Sequence, residues 1–373
     1  MVAANSEGLI GYLRVIRDPR VNRTKRHPLE SVLFIAIGGV LSGAESWVEI
    51  EDFGNARKDW LAQYVDLPEG IPSHDTFGRV FAQLDPREFQ KSFLSWVRTA
   101  AIRTQGEIVS IDGKTLRRSH DRSKGLGPLH LVSAWAQANH LVLGQVKTDE
   151  KSNEVEAIPR LLEMLDLKGC TVTLDAMGAQ KELAEKIQAK GADYVMALKG
   201  NQGLFHEEVK AFWEDPELPE SDYQAHETLD KGHGRVEIRR YRITDKIEWL
   251  EPRKDWKGLQ TLGMVESERI VGEEKTVERR YYLSSLKAEA PRFADAVRKH
   301  WEIENQLHWS LDVSFREDQC RVRVKHAAEN FALLRRMALH ILKKEQASKK
   351  SINRKRRQAA MDPAYLGMLL GKI

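Results

Sequence analysis

Two short runs decide how this chain reads: Glu107-Ile108-Val109-Ser110-Ile111-Asp112 and Thr171-Val172-Thr173-Leu174-Asp175. Both are apolar and rich in β-branched residues, the composition of a buried strand. Each ends in an aspartate followed by a small residue, Gly113 or Ala176. Amphipathic helical patterns cover 154–167 and 179–190, the second stopped by Gly191. A third strand pattern, 194–198, closes with Lys199-Gly200-Asn201-Gln202 and leads into a helix over about 204–213. This alternation predicts an α/β sheet covered by helices. In open α/β sheets ligands gather at the carboxyl ends of strands. A buried aspartate there is costly unless something cationic satisfies it. The competing reading is an aspartate that starts a turn or caps the next helix. For the matched pair Asp112 and Asp175 both readings stay open.

Outward from these strands, residues 1–105 read as helical. Pro28 suits a first helical turn, Ser73 can cap a helix through Leu84, and Asp85-Pro86-Arg87-Glu88 starts another. The short turn between the last two fits a helical hairpin, with a helix-turn-helix as the alternative. Residues 129–147 carry a hairpin signal around Asn139-His140. Residues of about 220–290 hold alternating strand patterns, such as Arg235-Val236-Glu237-Ile238-Arg239, and read as a β-rich insertion. Helical patterning returns from Pro291 to about Lys344. The expected organisation is a helical N-terminal domain over 1–105 and a catalytic domain over 106–345. A basic tail over 346–373 follows.

With 373 residues, 41% of them hydrophobic, the chain is long enough for a substantial core and more than one unit. A net charge of +4 neither demands nor excludes nucleic acid, so the clustering of basic residues matters more. Cys170 and Cys320 cannot make a disulfide framework or a four-cysteine zinc site, and a reducing cytoplasm is the simple reading. No apolar signal core is read at the N-terminus. The longest apolar run, residues 32–44, is too short to span a bilayer and reads as a buried helix.

A third carboxylate completes a constellation. On the helix through 293–308, Phe293, Val297, Trp301, Glu304, His308 and Leu311 share one stripe at the helical period. Glu304 therefore sits among apolar neighbours and needs a partner, either a buried cation or a metal held with the two aspartates. Trp301, on the same stripe, reads as core. Three carboxylates suit Mg²⁺ or Mn²⁺, which favour oxygen ligands. No Walker loop, nucleophile elbow or histidine-rich zinc spacing is present in the sequence.

Ile-Asp-Gly-Lys at 111–114, Leu-Asp-Ala-Met-Gly at 174–178, Leu-Lys-Gly-Asn-Gln at 198–202 and His-Trp-Glu-Ile-Glu-Asn at 300–305 resemble bacterial insertion-sequence transposases of the DDE type. The H-repeat-associated branch is the most similar. Arg-His-Pro-Leu at 26–29, His-Asp-Thr-Phe at 74–77, Lys-Gly-His-Gly-Arg at 231–235 and Leu-His-Trp-Ser-Leu-Asp-Val at 307–313 extend the resemblance over nearly the whole chain. It implies an RNase H-like core with a β-rich insertion before the third acid. It also implies Asp112, Asp175 and Glu304 as catalytic and metal ligands for Mg²⁺ or Mn²⁺, two ions in all. The implied reaction is strand cleavage and 3′-hydroxyl strand transfer at inverted-repeat ends by a homodimer on DNA, in the bacterial cytoplasm and away from membranes. The Tyr-x2-Arg-x3-Glu-x6-Lys signature of related enzymes is kept only at Glu304; its other positions read Val297, His300 and Leu311. Asp312, Glu317 and Asp318 are rival third acids.

DNA contacts are expected from Lys114, Arg117 and Arg118 after the first acid, and from Lys199, Asn201 and Gln202 after the third strand. His233, Arg235 and Arg239 in the insertion, His300 on the acid-bearing helix, and Arg316, Arg321 and Arg323 beyond it complete the set. Gly113 and Gly200 would allow close backbone approach. The basic leader (Arg14, Arg17, Arg20, Arg23, Lys25, Arg26) is a candidate for reading transposon ends. The alternatives are a metal-dependent nuclease without strand transfer and a domesticated, non-catalytic DNA-binding protein.

Overall fold

Parallel pairing of β1 (Ile108–Leu116) with β4 (Thr171–Leu174), Ile111 beside Leu174, organises the computed structural model. The structure describes residues 8–100, 106–120, 128–148, 154–232 and 234–371. β2 (Leu129–Ala136) and β3 (Leu141–Thr148) run antiparallel on one side of β1. β5 (Asp193–Leu198) runs parallel on the other side of β4. The order 3-2-1-4-5 with this mix of directions is an RNase H-like core. Four further strands, β6 (Gln224–Gly232), β7 (Arg235–Thr244), β8 (Thr261–Val271) and β9 (Glu274–Ser284), form an antiparallel meander. The meander joins the core through β5 and β9, giving nine strands in one sheet among the described residues. It is the β-rich insertion.

Side chains alternate across a strand, so the sheet buries two different faces. Val109, Ile111, Val172, Leu174, Tyr194 and Met196 pack under α7 (Glu154–Met164), α8 (Lys181–Ala189) and α9 (Leu204–Glu214). On the other face Ile108, Val195, Tyr241 and Val265 pack against Phe293 and Val297 of α10 (Ala290–His300).

The helical leader comprises α1 (Gly8–Arg14), α2 (Leu29–Leu41), α3 (Trp47–Ala56), α4 (Lys58–Leu61), α5 (His74–Gln83) and α6 (Pro86–Ala100). Ser73 caps α5 through Thr76 N–H, and Asp85 caps α6 through Arg87 N–H. Asn330 of α12 (Ala327–Lys344) donates to the carbonyls of Phe81 and Leu84. The turn between α5 and α6 is thus packed against α12. Residues 32–41 lie wholly buried in α2, inside the core shared with α12.

The C-terminal stretch read as a basic tail contains two packed helices, α13 (Ile352–Met361) and α14 (Pro363–Gly371). Two of its cations are buried because they satisfy carbonyls at helix ends. Arg356 donates to Val40 O at 3.1 and 3.2 Å and to Ser314 O. Lys355 donates to Leu342 O at 2.9 Å. Before α12, Glu317 meets Arg336 at 2.7 Å with both side chains fully buried.

Removing one member of such a pair leaves the other charged and desolvated. Glu317→Gln is expected to lower stability by about 3–5 kcal/mol in urea denaturation. A loss below about 1 kcal/mol would show that the pair does not hold this segment.

Candidate active site

The β1–β4 register carries Asp112 and Asp175 to adjacent positions just past the last paired residues, Ile111 and Leu174. Neighbouring strands are about 4.8 Å apart, so the two aspartates are close neighbours on the sheet. One turn of chain fixes Asp175: its Oδ1 accepts from the N–H groups of Met177 (3.0 Å) and Gly178 (3.1 Å). The turn-residue reading and the site reading therefore hold together for this aspartate. Burial, joined by the Glu154 charge, pushes the Asp175 carboxyl up; the Gly178 and Met177 N–H groups and then Lys199 at the end of β5 oppose that shift.

Beneath the aspartates a polar seam binds the end of α10 to the sheet. Thr173 donates to Ser110 at 3.1 Å and contacts His300 Nδ1 at 2.9 Å. Gln137 donates to Ser110 Oγ (3.1 Å) and to Lys299 O (2.5 Å). Ser110, Thr173 and Gln137 are all buried, so this seam is dry and its hydrogen bonds are costly to break. It sets the carboxyl end of α10 on the face that carries Asp112.

Immediately beyond, the chain leaves the α-helical path for a π-helical turn, Ile303–His308, before α11 (Trp309–Phe315). Such turns widen the helix and shift the stripe that faces the core. Glu304 is consequently half exposed rather than set among apolar neighbours, with 52% of its side chain open. Trp301, expected in the core, is also exposed and lies under Arg280, whose guanidinium carbon is 4.6 Å from the ring centre. Ile303, Leu307 and His308 take the buried positions.

Asp112, Glu304 and His308 converge: one ligand atom from each lies within 4.8 Å of the others. His308 Nδ1 is 3.6 Å from Asp112 Oδ2 and 3.4 Å from Glu304 Oε2. Burial and then the Glu304 charge push the Asp112 carboxyl far above the usual range. The His308 imidazole beside Glu304 holds that carboxyl well below it. His308 is a site residue that the sequence reading passed over. Its spacing of four from Glu304 on the same stripe was the available signal.

The expected DNA contacts separate into groups. Lys199 is exposed and acts on Asp175, and Arg321 is also exposed. Arg117 is open but leans on Asp318 at 3.2 Å. Arg316 reaches towards Glu45, and Arg323 donates to the Arg118 carbonyl. Lys114 is buried instead, because β1 points it to the Asp112 face, where Asp312 takes it at 2.6 Å. Asn201 and Gln202 spend their amides on Ala176 O and Ala179 O, binding the loop after β5 to the loop after Asp175. Burial pushes His300 down to about 4, so it is neutral and serves the seam. Arg235 and Arg239 pair with Glu237, and Arg239 also with Asp230, within the meander. His233 lies outside the described residues. Of the rival acids, Asp312 faces Lys114, Asp318 faces Arg117, and Glu317 faces Arg336. An open groove of about 400 Å³ between the meander and α10 is lined by Arg235, Arg269, Arg280, Arg298 and Trp301, with Glu237, Glu268 and Glu278 interspersed. It reaches Asn305, next to Glu304.

Gly200 has no close neighbour, whereas Gly113 approaches protein rather than open space. On the sheet face opposite Asp112, Glu154 Oε1 lies 2.6 Å from His130 Nε2, both side chains buried. A Cβ at Gly113 would come within 2.4 Å of Glu154 and 2.6 Å of His130.

A family model over more than half of the chain, together with full-length relatives, shows the family. The family described as "Transposase DDE domain" matches residues 103–341, and the one described as "DDE_Tnp_1-associated" matches residues 10–97. Two proteins of Escherichia coli K12, "Putative protein YbfL" and "H repeat-associated putative transposase YhhI", are each 43% identical over 367 residues, spanning 97% of both chains. A solved piggyBac transposase synaptic complex with hairpin DNA aligns at a TM-score of 0.45 with 12% identity, covering 98% of this chain and 78% of that one.

Gly113→Ala must displace the buried His130–Glu154 pair. Strain of this kind costs about 1–3 kcal/mol. Thermal or urea unfolding should show that loss; an unchanged midpoint would mean the pair moves aside freely.

Proposed function

This chain belongs to the DDE transposase family, and from that premise we propose that Asp112, Asp175 and Glu304 hold divalent metal for strand cleavage and 3′-hydroxyl strand transfer at insertion-sequence ends. The observation that carries the reading is the meeting of Asp112 with Glu304, with Asp175 set next to Asp112 by the β1–β4 register. The helix that leads to Glu304 is bound to the sheet by the Ser110–Thr173–Gln137 seam. The donor set fits oxygen-seeking dications such as Mg²⁺ or Mn²⁺. Asp112 is mostly buried and carries the electrostatic load of both neighbouring acids, a cost that a bound cation offsets. When bound, a pair of such ions activates the attacking oxygen and stabilises the leaving oxygen of an in-line displacement.

The chain's own groups do the positioning. Asp175 is oriented by the two backbone N–H groups of its turn. Glu304 opens to solvent on the side from which a DNA phosphate can approach. Lys199 adds positive charge at the Asp175 edge. The groove along α10, with its arginines and the exposed face of Trp301, lies beside Glu304 and suits a DNA strand. The exposed leader cations Arg17, Arg23 and Arg26 are proposed to contact transposon ends, and two copies are proposed to pair two ends. Among the described residues, no helix is long and apolar enough to cross a membrane.

Cleavage of duplexes carrying the element's own ends, and joining of pre-nicked ends, should both require Mg²⁺ or Mn²⁺. Asp112→Asn, Asp175→Asn and Glu304→Gln should each reduce both to the metal-free background while retaining DNA binding. Cleavage without joining would identify a nuclease instead. Full activity in Asp112→Asn would end the proposal. Lys199→Ala should weaken binding across sequences and reduce the slope of log K against log salt by about 1; an unchanged slope would remove Lys199 from the phosphate contacts.

A further inference from the structure

Buried histidines normally pair at least one ring nitrogen at hydrogen-bond distance. His308 does not follow this pattern. Its side chain is 5% exposed, and Nε2 is buried with no hydrogen-bond partner among the described residues. Nδ1 points between two carboxylates at 3.4 and 3.6 Å. Charge-assisted N–H···O bonds are shorter, about 2.7–2.9 Å. The ring is therefore held by its charge contacts through Nδ1 alone, at separations longer than such bonds usually take.

Those separations have another meaning. Nitrogen and oxygen donors about 2.0–2.2 Å from one ion stand roughly 3.0–3.5 Å apart, the edge of a tetrahedron or octahedron. Nδ1 is at that distance from Glu304 and close to it from Asp112, while Asp175 is absent from this tight group. The π-helical turn is the device that delivers it. It carries Glu304 and His308 on one widened turn, so a half-exposed oxygen and a buried nitrogen face the same point.

We propose that His308 is a direct nitrogen ligand to one of the metal ions, sharing it with Asp112 and Glu304. The inference rests on the metal-site reading given above. It adds a specificity: an imidazole tilts an otherwise all-oxygen site from Mg²⁺ towards softer dications such as Mn²⁺ or Co²⁺. The buried Lys114, held by Asp312, also acts on Glu304 through its charge.

The test uses the full-length protein and Mn²⁺ as probe. Pulsed electron paramagnetic resonance of bound Mn²⁺ should show ¹⁴N coupling, which converts to ¹⁵N coupling when the histidines are ¹⁵N-labelled. His308→Gln should abolish the coupling and weaken Mn²⁺ binding about tenfold or more, with a smaller change for Mg²⁺. His308→Asn provides a second variant, and circular dichroism checks the folding of both. Bound Mn²⁺ without nitrogen coupling in the wild type, or coupling that persists in both variants, overturns the proposal. If Mn²⁺ then still depends on Asp112, the metal-site reading survives. Mn²⁺ binding that is absent, or indifferent to Asp112→Asn, overturns both.

Discussion

Everything at the site depends on one constraint, the parallel register of β1 and β4. Parallel pairing runs both strands in one direction, and the match of Ile111 with Leu174 puts the next residues, Asp112 within β1 and Asp175 just past β4, side by side. A shift by one residue would send one aspartate to the opposite face, among the aliphatic side chains under α7 and α8. The register is protected by burial on both faces. Val109, Ile111, Val172 and Leu174 lie in one core, and Ser110 and Thr173 lie in the dry seam on the other side.

The seam turns a sheet property into a three-element site. The end of α10 could slide over a purely apolar face with little loss, since dispersion and burial are not directional. Hydrogen bonds among Ser110, Thr173, Gln137, His300 and the Lys299 carbonyl are directional, and each buried partner is expensive to strand. They locate the helix end, and the π-helical turn that follows then sets Glu304 and His308 over Asp112. The electrostatics reflect this crowding. Asp112, buried beside Glu304, resists ionisation, whereas Glu304 is held ionised by His308.

Positive charge is distributed by the same logic. Much of it serves the protein itself. Lys355 and Arg356 close helix ends, Arg336 neutralises Glu317, and Lys114 is held by Asp312. In the meander, cross-strand carboxylates face Arg240 from Glu227, Glu266 and Glu268. Other cations are open towards a polyanion, Lys199 and Arg321 among them.

An α/β sheet covered by helices was legible in the sequence because apolar runs, helix stops and turn residues are local signals, whereas its RNase H-like topology was implied only by the family resemblance. The strands at 107–112, 171–175 and 194–198, the hairpin at 139–140, the β-rich insertion and the caps at Ser73 and Asp85 all follow from periodicity and residue chemistry. The two aspartates could be singled out for the same reason: each ends an apolar run, although β1 itself continues past Asp112 to Leu116 along β2. What the tertiary structure decided depends on contacts between distant residues. His308 faces Asp112, almost two hundred positions away, and no local pattern reports that. The exposure of Trp301 and Glu304 depends on a π turn that breaks the 3.6-residue period used to read the stripe. The fate of each basic residue likewise depends on which carbonyl or carboxylate the fold brings to it, because a charge counts as free only once its long-range partners are known.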